Sequence, residues 1–285
     1  MLKELAIAAR NLVLGGNLKT LKFLGRPRAG VDYVGECLFL ERMMNPNGDL
    51  PQRQIWEVLG TACAFPVILH PAALGDWFTK VASWQADLIA LCMLCRLAEP
   101  KRIFEIGTLH GASALQMALN APGAEVFTLD LEGKAALKVT EVDTHYAREG
   151  KRRKLIFEGL PEERRIRTMH GDSASFDFAP FENSIDLFFV DGAHSYEYVK
   201  NDTAKAVKCV REGGIIAWHD YGRCGVNGVS KWLTEFRAAN NEVQRIPGGS
   251  LAYMINQRKG GFVDATDSET FARCTQRIAP PNSSP

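Results

Sequence analysis

Short apolar segments alternate with longer segments of helical periodicity between residues 102 and 218, and this alternation constrains the fold more than any other feature. Strands that alternate with helices at this spacing form parallel βαβ units. We therefore expect an α/β fold with a Rossmann-like, doubly wound sheet, helices on both of its faces, and helical segments between the first five strands. The predicted strands are RIFEI (102–106), EVFTL (125–129), RIRTMH (165–170), IDLFFV (185–190) and GIIAW (214–218).

Two further apolar segments lie close together near the end of the chain. EVQRI (242–246) and LAYMI (251–255) are separated by a short segment that contains PGG. Such a short link cannot cross over between parallel strands, so these segments are expected to form an antiparallel hairpin at the edge of the sheet. The sheet then has about seven strands, mostly parallel. A helix is predicted over residues 81–97, where apolar residues recur at three- and four-residue spacing.

Composition divides the chain into three predicted regions. Residues 1–80 contain helical patterns without a strand series, and we interpret them as an N-terminal cap or interaction region whose helices could form a homo-oligomer. Residues 81–260 form the main, ligand-binding domain. Residues 261–285 form a tail that ends in APPNSSP and is expected to be partly disordered.

Charge and cysteine content narrow the function classes. The formal net charge of +1 favours neither nucleic acid nor an acidic membrane surface as a partner, and no segment is long and apolar enough to span a bilayer. The seven cysteines are odd in number and lie mostly in apolar segments, as expected for reduced thiols of a cytoplasmic protein. The pair Cys92 and Cys95 is expected to pack in the core, and the basic run 148–154 to be solvated.

Each of the five predicted parallel strands has an acidic residue at or next to its carboxyl end. Ligands of open parallel sheets bind at this edge, and five acids there are more than turn capping needs. The loop after the first strand also contains Gly107 and Gly111, which let backbone approach a ligand at a helix N-terminus. The sequence therefore predicts a polar ligand site formed around the acids Glu105, Asp130, Asp172, Asp191 and Asp220.

The residues at these strand ends resemble the class I S-adenosylmethionine-dependent methyltransferases. The resemblance is greatest to the group of small-molecule O-methyltransferases that includes macrocin O-methyltransferase and relatives from cephalosporin biosynthesis. It covers roughly residues 82–257, and the pair VDGAHSYEYV and GGIIAWHDY is its most specific part. The similar segments are FEIGTLHGAS (104–113), TLDL (128–131), GDSASFDF (171–178), DLFFVDGAHSYEYVKND (186–202) and GGIIAWHDYG (213–222).

This resemblance implies S-adenosylmethionine as the cofactor, with its parts bound at successive strand ends. Asp130 and the neighbouring Leu131 would contact the ribose, and Asp172 with Ser173 would lie against the adenine. Asp191 would border both the cofactor and the acceptor. The residues implied for the methionine part are Glu105, Gly107, Thr108, Gly111 and Ser113.

Asp191 and Asp220 end neighbouring strands, which lie about 4.8 Å apart in a sheet. Two carboxylates that close repel each other unless a cation lies between them. In metal-using relatives, the matching acids bind Mg²⁺, which predicts a metal site of Asp191, Asp220 and the neighbouring His219, although Mg²⁺ prefers oxygen ligands. The alternative is that Asp191 accepts hydrogen bonds from ligand or backbone and Asp220 caps a loop. Whether His219 points into the site or packs sideways is left open.

His194 is the candidate general base, with Asp191 beside it, because imidazole titrates near neutral pH and a histidine at this position is the proposed base in some relatives. Ser195 is expected to cap the following helix. The function predicted from these residues is O-methylation of a hydroxylated small molecule, a sugar or a glycosylated metabolite. The alternatives are a methyltransferase fold that only binds ligands or partners, and a nicotinamide-dependent oxidoreductase, against which the absence of a GxGxxG sequence argues.

Overall fold

The computed structural model describes residues 50–53, 66–71, 82–132, 134–140, 142–144, 154–223, 226–239 and 241–256. The predicted tail 261–285, the basic run 148–154 except Lys154, and most of the predicted region 1–80 lie outside the described residues. None of the helices in the described part of the chain has the length and hydropathy of a membrane-spanning helix.

The described residues form a seven-stranded sheet in the order β3-β2-β1-β4-β5-β7-β6. The first five strands are mutually parallel where they pair, and β7 is antiparallel to both β5 and β6. The Rossmann-like, mostly parallel sheet with an antiparallel edge hairpin is therefore confirmed. The strands are β1 (Arg102–Ile106), β2 (Glu125–Asp130), β3 (Ile166–His170), β4 (Ile185–Val190), β5 (Val210–Trp218), β6 (Gln244–Arg245) and β7 (Ala252–Ile255).

Two strands differ from the prediction by more than one residue at a boundary. β5 begins at Val210, four residues before the predicted start at Gly214, because Val210 already pairs with Ile185 before a register shift in β4. β6 has only two residues instead of the predicted five. Its outer edge is covered by residues 50–53, since the backbone N–H of Arg245 donates to Pro51 O at 2.9 Å and the N–H of Arg53 to Arg245 O at 3.1 Å.

Helices cover both faces of the sheet, as predicted. α1 (Ala82–Ala98) and α2 (Ala112–Asn120) bury Leu91, Leu94 and Leu115 in the core of one face. α3 (Tyr196–Cys209) and α4 (Asn227–Ala238) bury apolar side chains such as Val199 and Leu233 in the core of the other face. Because the crossovers place the carboxyl ends of β1 to β5 at one edge, the polar residues that follow these strands come together there.

The expected helix between β3 and β4 is absent from the fully described segment 171–184, which contains only a 3₁₀ turn, Ala179–Phe181. Aromatic side chains from this segment cover the sheet instead. Phe181 packs edge-on against Phe104 with ring centroids 4.8 Å apart, and Phe178 lies 5.3 Å from the same ring. Aromatic pairs in these geometries bury large apolar areas, so a short aromatic loop replaces the helix that strand and helix alternation led us to expect.

Candidate active site

Glu105 lies at the end of β1 and is fully buried. Its Oε2 accepts a hydrogen bond of 2.6 Å from the hydroxyl of Thr128, which in turn lies 2.6 Å from the hydroxyl of Thr108. Burial raises the pKa of Glu105 to about 8, although the nearby hydroxyls of Ser113 and Thr128 act in the opposite direction. Among the described residues, no hydrogen bond of normal geometry reaches the buried Oε1 atom. A buried carboxylate oxygen without a donor is costly, and a bound cationic or N–H group would satisfy it.

The glycines of the loop after β1 are required by the protein's own packing. Gly107 has φ +106°, and a Cβ atom at this position would lie 2.0 Å from the backbone oxygen of Asp191. Gly111 has φ +75° and precedes α2, and a Cβ there would lie 2.4 Å from the ring of Phe157. Both glycines therefore allow close approach, in each case to residues of this chain.

The ends of β2 and β3 place Asp130 and Asp172 differently. Asp130 is half-buried and makes no side-chain hydrogen bond or ion pair with the described residues, so its carboxylate is available to a ligand. The carboxylate of Asp172 accepts from the backbone N–H groups of Ala174 (2.8 Å) and Ala136 (2.6 Å). The hydroxyl of Tyr198 donates to the same carboxylate at 2.9–3.0 Å. Asp172 thus fastens the loop after β2 to α3.

The residues beside these acids surround the same edge. Leu131 is partly exposed directly after Asp130, while Ser173 is buried beside Asp172. Ser173 also faces Asp202 of α3, and burial raises the pKa of Asp202 to about 7, against hydrogen bonds from Ser173 and Asn201. The structure thus brings the predicted cofactor residues of β1, β2 and β3 to one edge of the sheet.

Asp191, His219 and Asp220 come together at the ends of β4 and β5, where Val190 pairs with Trp218. The Nδ1 atom of His219 lies 3.1 Å from Asp191 Oδ1 and 3.2 Å from Asp220 Oδ1. One ligand atom from each of the three residues lies within 4.8 Å of the others, an arrangement that could hold a metal ion. His219 therefore points toward both carboxylates, which answers the question that the sequence left open.

Asp87 of α1 holds the other nitrogen of His219. Its Oδ2 lies 3.1 Å from His219 Nε2, and the same carboxylate accepts from the backbone N–H groups of Ser250 (2.6 Å) and Leu251 (3.0 Å). The hydroxyl of Ser250 donates to Oδ2 at 2.7 Å. Burial opposes protonation of His219, but the carboxylates of Asp220 and Asp191 outweigh it and hold its pKa well above the ordinary value.

His194 lies between two carboxylates. Its Nδ1 is 2.5 Å from Asp143 Oδ1, and its Nε2 is 2.6 Å from Asp220 Oδ2. Burial opposes protonation of this imidazole, but hydrogen bonds to Asp143 and Asp220 outweigh it and raise the pKa to about 10. At neutral pH the ring in this arrangement is therefore an imidazolium that donates from both nitrogens. To act as a base it must first lose a proton and exchange Asp220 for the acceptor.

Asp220 connects the two histidines. It has φ +63°, a left-handed conformation that few residues other than glycine adopt, and its side chain is almost fully buried. Arg223 Nη1 donates to its Oδ1 at 2.8 Å. Burial alone would raise its pKa, but His219, Arg223 and His194 together hold it well below the usual range. Asp220 thus takes part in the site and does not merely cap a loop.

The expectations for Ser195, Cys92 and Cys95 are confirmed, and two aromatic residues near the site are buried. Ser195 caps α3 by accepting from the backbone N–H of Tyr198 at 3.3 Å, which leaves Asp191 uninvolved in capping. Trp218 is fully buried, and its indole N–H donates to Thr203 at 3.0 Å, so it belongs to the core. Tyr221 is also buried. Cys92 and Cys95 are free thiols in the core, as predicted.

Sequence reasoning missed the residues that hold the two histidines. Asp143 forms a reciprocal cap with Thr140, in which each backbone N–H donates to the other side chain at 3.1 and 2.7 Å. That T-x-x-D spacing is a helix-start signal and could have singled out Asp143. Asp87 has its own signal, because it is a charged residue on the apolar face of a predicted helix. Arg223 carries no sequence signal that would have distinguished it from other loop arginines.

Comparison with known proteins agrees with the fold. Residues 104–221 match the model of a family described as "Methyltransferase domain", which is less than half of the chain. This segment begins within β1 and includes β2 through β5 and the residues that follow each strand. All of the predicted site residues, from Glu105 to Asp220, lie within the match. The matched segment is therefore similar to methyltransferase domains over all of the site residues predicted from the sequence, while Asp87 and Arg223 lie outside the match.

Solved structures of methyltransferases resemble the chain more distantly. A Podospora anserina methyltransferase bound to SAH has 21% identity and a TM-score of 0.45, covering 67% of this chain and 89% of its own. An O-methyltransferase of tomaymycin synthesis from Streptomyces achromogenes, in complex with SAM, has 19% identity and a TM-score of 0.45, covering 69% and 92%. An O-methyltransferase from Bacillus cereus in complex with SAH has 20% identity and a TM-score of 0.41, covering 70% and 90%.

Proposed function

We propose that this protein is an S-adenosylmethionine-dependent O-methyltransferase that acts on a hydroxylated small molecule. The observation that carries the proposal is the pair of carboxylates at the ends of β1 and β2. Among the described residues, no hydrogen bond of normal geometry reaches Glu105 Oε1, and the carboxylate of Asp130 makes no hydrogen bond or ion pair. The match of residues 104–221 to a methyltransferase domain supports the same function.

The carboxylates fit the two ends of an amino-acid nucleoside. The ammonium group of the methionine part would donate to Glu105 Oε1, and the ribose hydroxyls would donate to Asp130. Gly107, Thr108, Gly111 and Ser113 would line the methionine part, in a loop where the glycines leave no room for a side chain. Leu131 and Ser173 would border the nucleoside. Asp172 would lie near the adenine and would hold the loop after β2 in place. Its carboxylate already accepts from three protein donors, so this support is its main role.

Methyl transfer from a sulfonium is an in-line displacement, so the protein must align the acceptor hydroxyl with the methyl group and remove the hydroxyl proton. Alignment of this kind contributes up to about 7–11 kcal/mol in ideal cases. We assign proton removal to neutral His194, with Asp143 holding Nδ1–H and the acceptor hydroxyl taking the place of Asp220 at Nε2. Asp191, at the mouth of the site, would orient the acceptor. Because the raised pKa keeps His194 protonated, the rate should increase as pH rises from neutral toward about 10.

Mg²⁺ fits this site only in part. Asp191 and Asp220 offer the oxygen ligands that Mg²⁺ prefers, whereas His219 places a nitrogen between them. A divalent cation held there would lower the pKa of a coordinated acceptor hydroxyl.

The resemblance of the strand-end sequences points to a sugar or a glycosylated metabolite as the acceptor. The two alternatives are a protein that binds S-adenosylmethionine without turnover and a nicotinamide-dependent oxidoreductase. The intact set of Asp191, His194 and Asp220 favours turnover, because a purely binding module needs no buried imidazole between carboxylates.

Calorimetric titration tests the cofactor directly. S-adenosylmethionine should bind and NAD should not, and binding should tighten as the pH rises toward about 8, because Glu105 must be ionised to accept the ammonium group, which itself must stay protonated. Glu105→Gln should weaken binding and remove this pH dependence, while the exposed Asp177→Asn serves as a carboxylate control. Binding heat in the titration with NAD but not in the titration with S-adenosylmethionine would contradict the proposal. Wild-type affinity and pH dependence in Glu105→Gln would also contradict it.

Methyl transfer to a panel of sugars, phenols and macrolide glycosides tests turnover. His194→Ala should retain cofactor binding and lose turnover by about 10²–10⁴-fold, the usual contribution of a general base. Unchanged turnover in this variant would remove His194 as the base. Cofactor binding without transfer to any acceptor of the panel would favour the binding-module alternative.

A further inference from the structure

We propose that Asp191, His219 and Asp220 form a site for a divalent transition-metal ion that accepts imidazole, such as Mn²⁺, Fe²⁺, Co²⁺ or Zn²⁺, in preference to Mg²⁺. Asp87 is the positioning residue that presents His219 to the ion. The inference rests on the proposed function for the role of the ion in methyl transfer, but ion binding can be tested separately.

The distances from His219 to the two carboxylates match those between neighbouring ligands of a single ion. Ligand atoms about 2.0–2.1 Å from an ion and adjacent in its coordination shell are themselves about 3.0–3.4 Å apart. His219 Nδ1 lies 3.1 Å from Asp191 Oδ1 and 3.2 Å from Asp220 Oδ1. The imidazole thus shares one edge of a coordination shell with each carboxylate.

Asp87 determines which nitrogen of His219 faces the carboxylates. Its Oδ2 lies 3.1 Å from Nε2 and accepts the proton of that nitrogen, so an ion would take the place of the Nδ1 proton that faces Asp191 and Asp220. A carboxylate that holds the second nitrogen of a ligating histidine is the usual support of such ligands in metalloproteins. No such support is needed by a hard cation that binds through carboxylates and water alone.

The position of Asp87 is itself fixed by the turn between β6 and β7. Ser250 and Leu251 donate to its carboxylate, and a Cβ atom at Gly249 would lie 1.8 Å from Asp87 Oδ1. Gly249 therefore leaves the space that the Asp87 carboxylate occupies. Asp87 and Ser250, which are hydrogen-bonded here, are 163 residues apart in sequence. This set of contacts joins α1 to the edge hairpin and holds His219 between them.

The donor set decides which ions fit. Mg²⁺ demands nearly octahedral oxygen ligands, whereas imidazole suits Zn²⁺, Fe²⁺ and other transition ions. Asp220 also accepts from His194 and Arg223, but a carboxylate has about four lone-pair positions, and these contacts leave two of them. The side chain of Asp191 is 14% exposed, which leaves one side of the site open for water or an acceptor hydroxyl.

The full-length protein is first freed of metal with a chelator and then titrated with Co²⁺, Mn²⁺ and Mg²⁺. Binding is followed by calorimetry, by the visible absorption of Co²⁺ and by the electron paramagnetic resonance of free Mn²⁺. We expect one equivalent of Co²⁺ or Mn²⁺ to bind, with at least about 10-fold weaker binding of Mg²⁺. In the Co²⁺ form, proton NMR should show a shifted, exchangeable N–H signal from the imidazole ring of a ligand.

Variants distinguish the role of His219 as a metal ligand from the role of Asp87 as its hydrogen-bond partner. His219→Asp should lose the imidazole signal and shift the preference toward Mg²⁺, and Asp87→Asn should weaken Co²⁺ binding about 10- to 100-fold. The exposed His170→Ala is the control for histidine loss and should bind as the wild type does. If Asp87→Asn does not fold, the ion preference of the wild-type protein still decides the question.

Two results would overturn the inference: no stoichiometric binding of Co²⁺ or Mn²⁺, or Mg²⁺ displacing them at equal concentration. Titrating the same samples with S-adenosylmethionine distinguishes failure of the metal site from failure of the proposed function. Cofactor binding without transition-metal binding refutes only the metal site. Metal binding without cofactor binding refutes the proposed methyltransferase and leaves the metal site supported.

Discussion

Replacing Asp143 with asparagine should destabilise the protein in a way that depends on pH through His194. The carboxylate of Asp143 accepts from both the backbone N–H (3.0 Å) and the Nδ1 of His194 (2.5 Å), and its other oxygen accepts from Thr140 N. Asparagine keeps the size of the side chain and one acceptor oxygen, but it removes the negative charge. The substitution therefore tests the charge interaction more than the packing.

The magnitude follows from the pKa of His194. A pKa raised from 6.5 to about 10 corresponds to about 5 kcal/mol in favour of the protonated folded state. Two carboxylates share this effect, so losing Asp143 should cost about 2–3 kcal/mol at pH 6–7. Because the folded pKa lies above the unfolded one, this stabilisation is complete below pH 6.5 and is lost as pH rises toward about 10. The difference between wild type and Asp143→Asn should stay nearly constant until the pH reaches the lower folded pKa of His194 in the variant, and should shrink from there toward about pH 10.

Urea unfolding of both proteins at about pH 6, 7.5 and 9 measures this difference. His219 also has a raised pKa and adds a slope of the same sign, so only the comparison between the two proteins isolates His194. Asp177→Asn is the matched control, since this exposed carboxylate accepts only from the backbone N–H of Ala179 in the described structure. A free-energy difference that stays constant from pH 6 to 9, or one that is absent at pH 6, would refute the assignment of a buried Asp143–His194 ion pair.

Two further expectations concern the core around the site. Gly107→Ala should lower the free energy of unfolding by about 3 kcal/mol or more, because φ is +106° and the new Cβ would lie 2.0 Å from Asp191 O. Urea unfolding measures this change, and wild-type stability of the variant would contradict the geometry. The thiols of Cys92 and Cys95 should resist alkylation until the protein unfolds, because burial raises the pKa of Cys92 to about 12 and that of Cys95 well above its ordinary value. Peptide mapping by mass spectrometry measures this protection, and rapid labelling of either thiol in the native protein would show that the core is open.

The sheet was predictable because its signal is local. RIFEI and IDLFFV are continuous apolar segments between polar turns, and the structure places β1 and β4 at those residues. The segment between β3 and β4 was predicted wrongly, because Phe178 and Phe181 cover the sheet there through contacts with the ring of Phe104, a residue of β1 that is distant in sequence. The cover of β6 by residues 50–53 likewise joins segments that are far apart in sequence, so no local pattern predicts it.

The candidate site was predictable in its residues but not in their partners. The topological rule for parallel sheets brings the acids of successive strands to one edge, which singled out Asp191 and Asp220 without any knowledge of loops. The contacts of the two histidines span 51 residues to Asp143 and 132 residues to Asp87, and no spacing in the sequence encodes such distances. The protonation state of His194 depends on these contacts, so the sequence suggested a neutral base where the structure places an imidazolium.

The charges of the site also change the reason for expecting a metal ion. Four carboxylates of the site, those of Asp87, Asp143, Asp191 and Asp220, are faced by His194, His219 and Arg223. With both histidines protonated, repulsion between Asp191 and Asp220 is already relieved by the protein's own cations. A divalent ion that displaces the proton of His219 would change the local charge by only one unit. Its binding would therefore depend on the fit of two oxygens and one nitrogen, which is why the choice between Mg²⁺ and a transition-metal ion is the informative measurement.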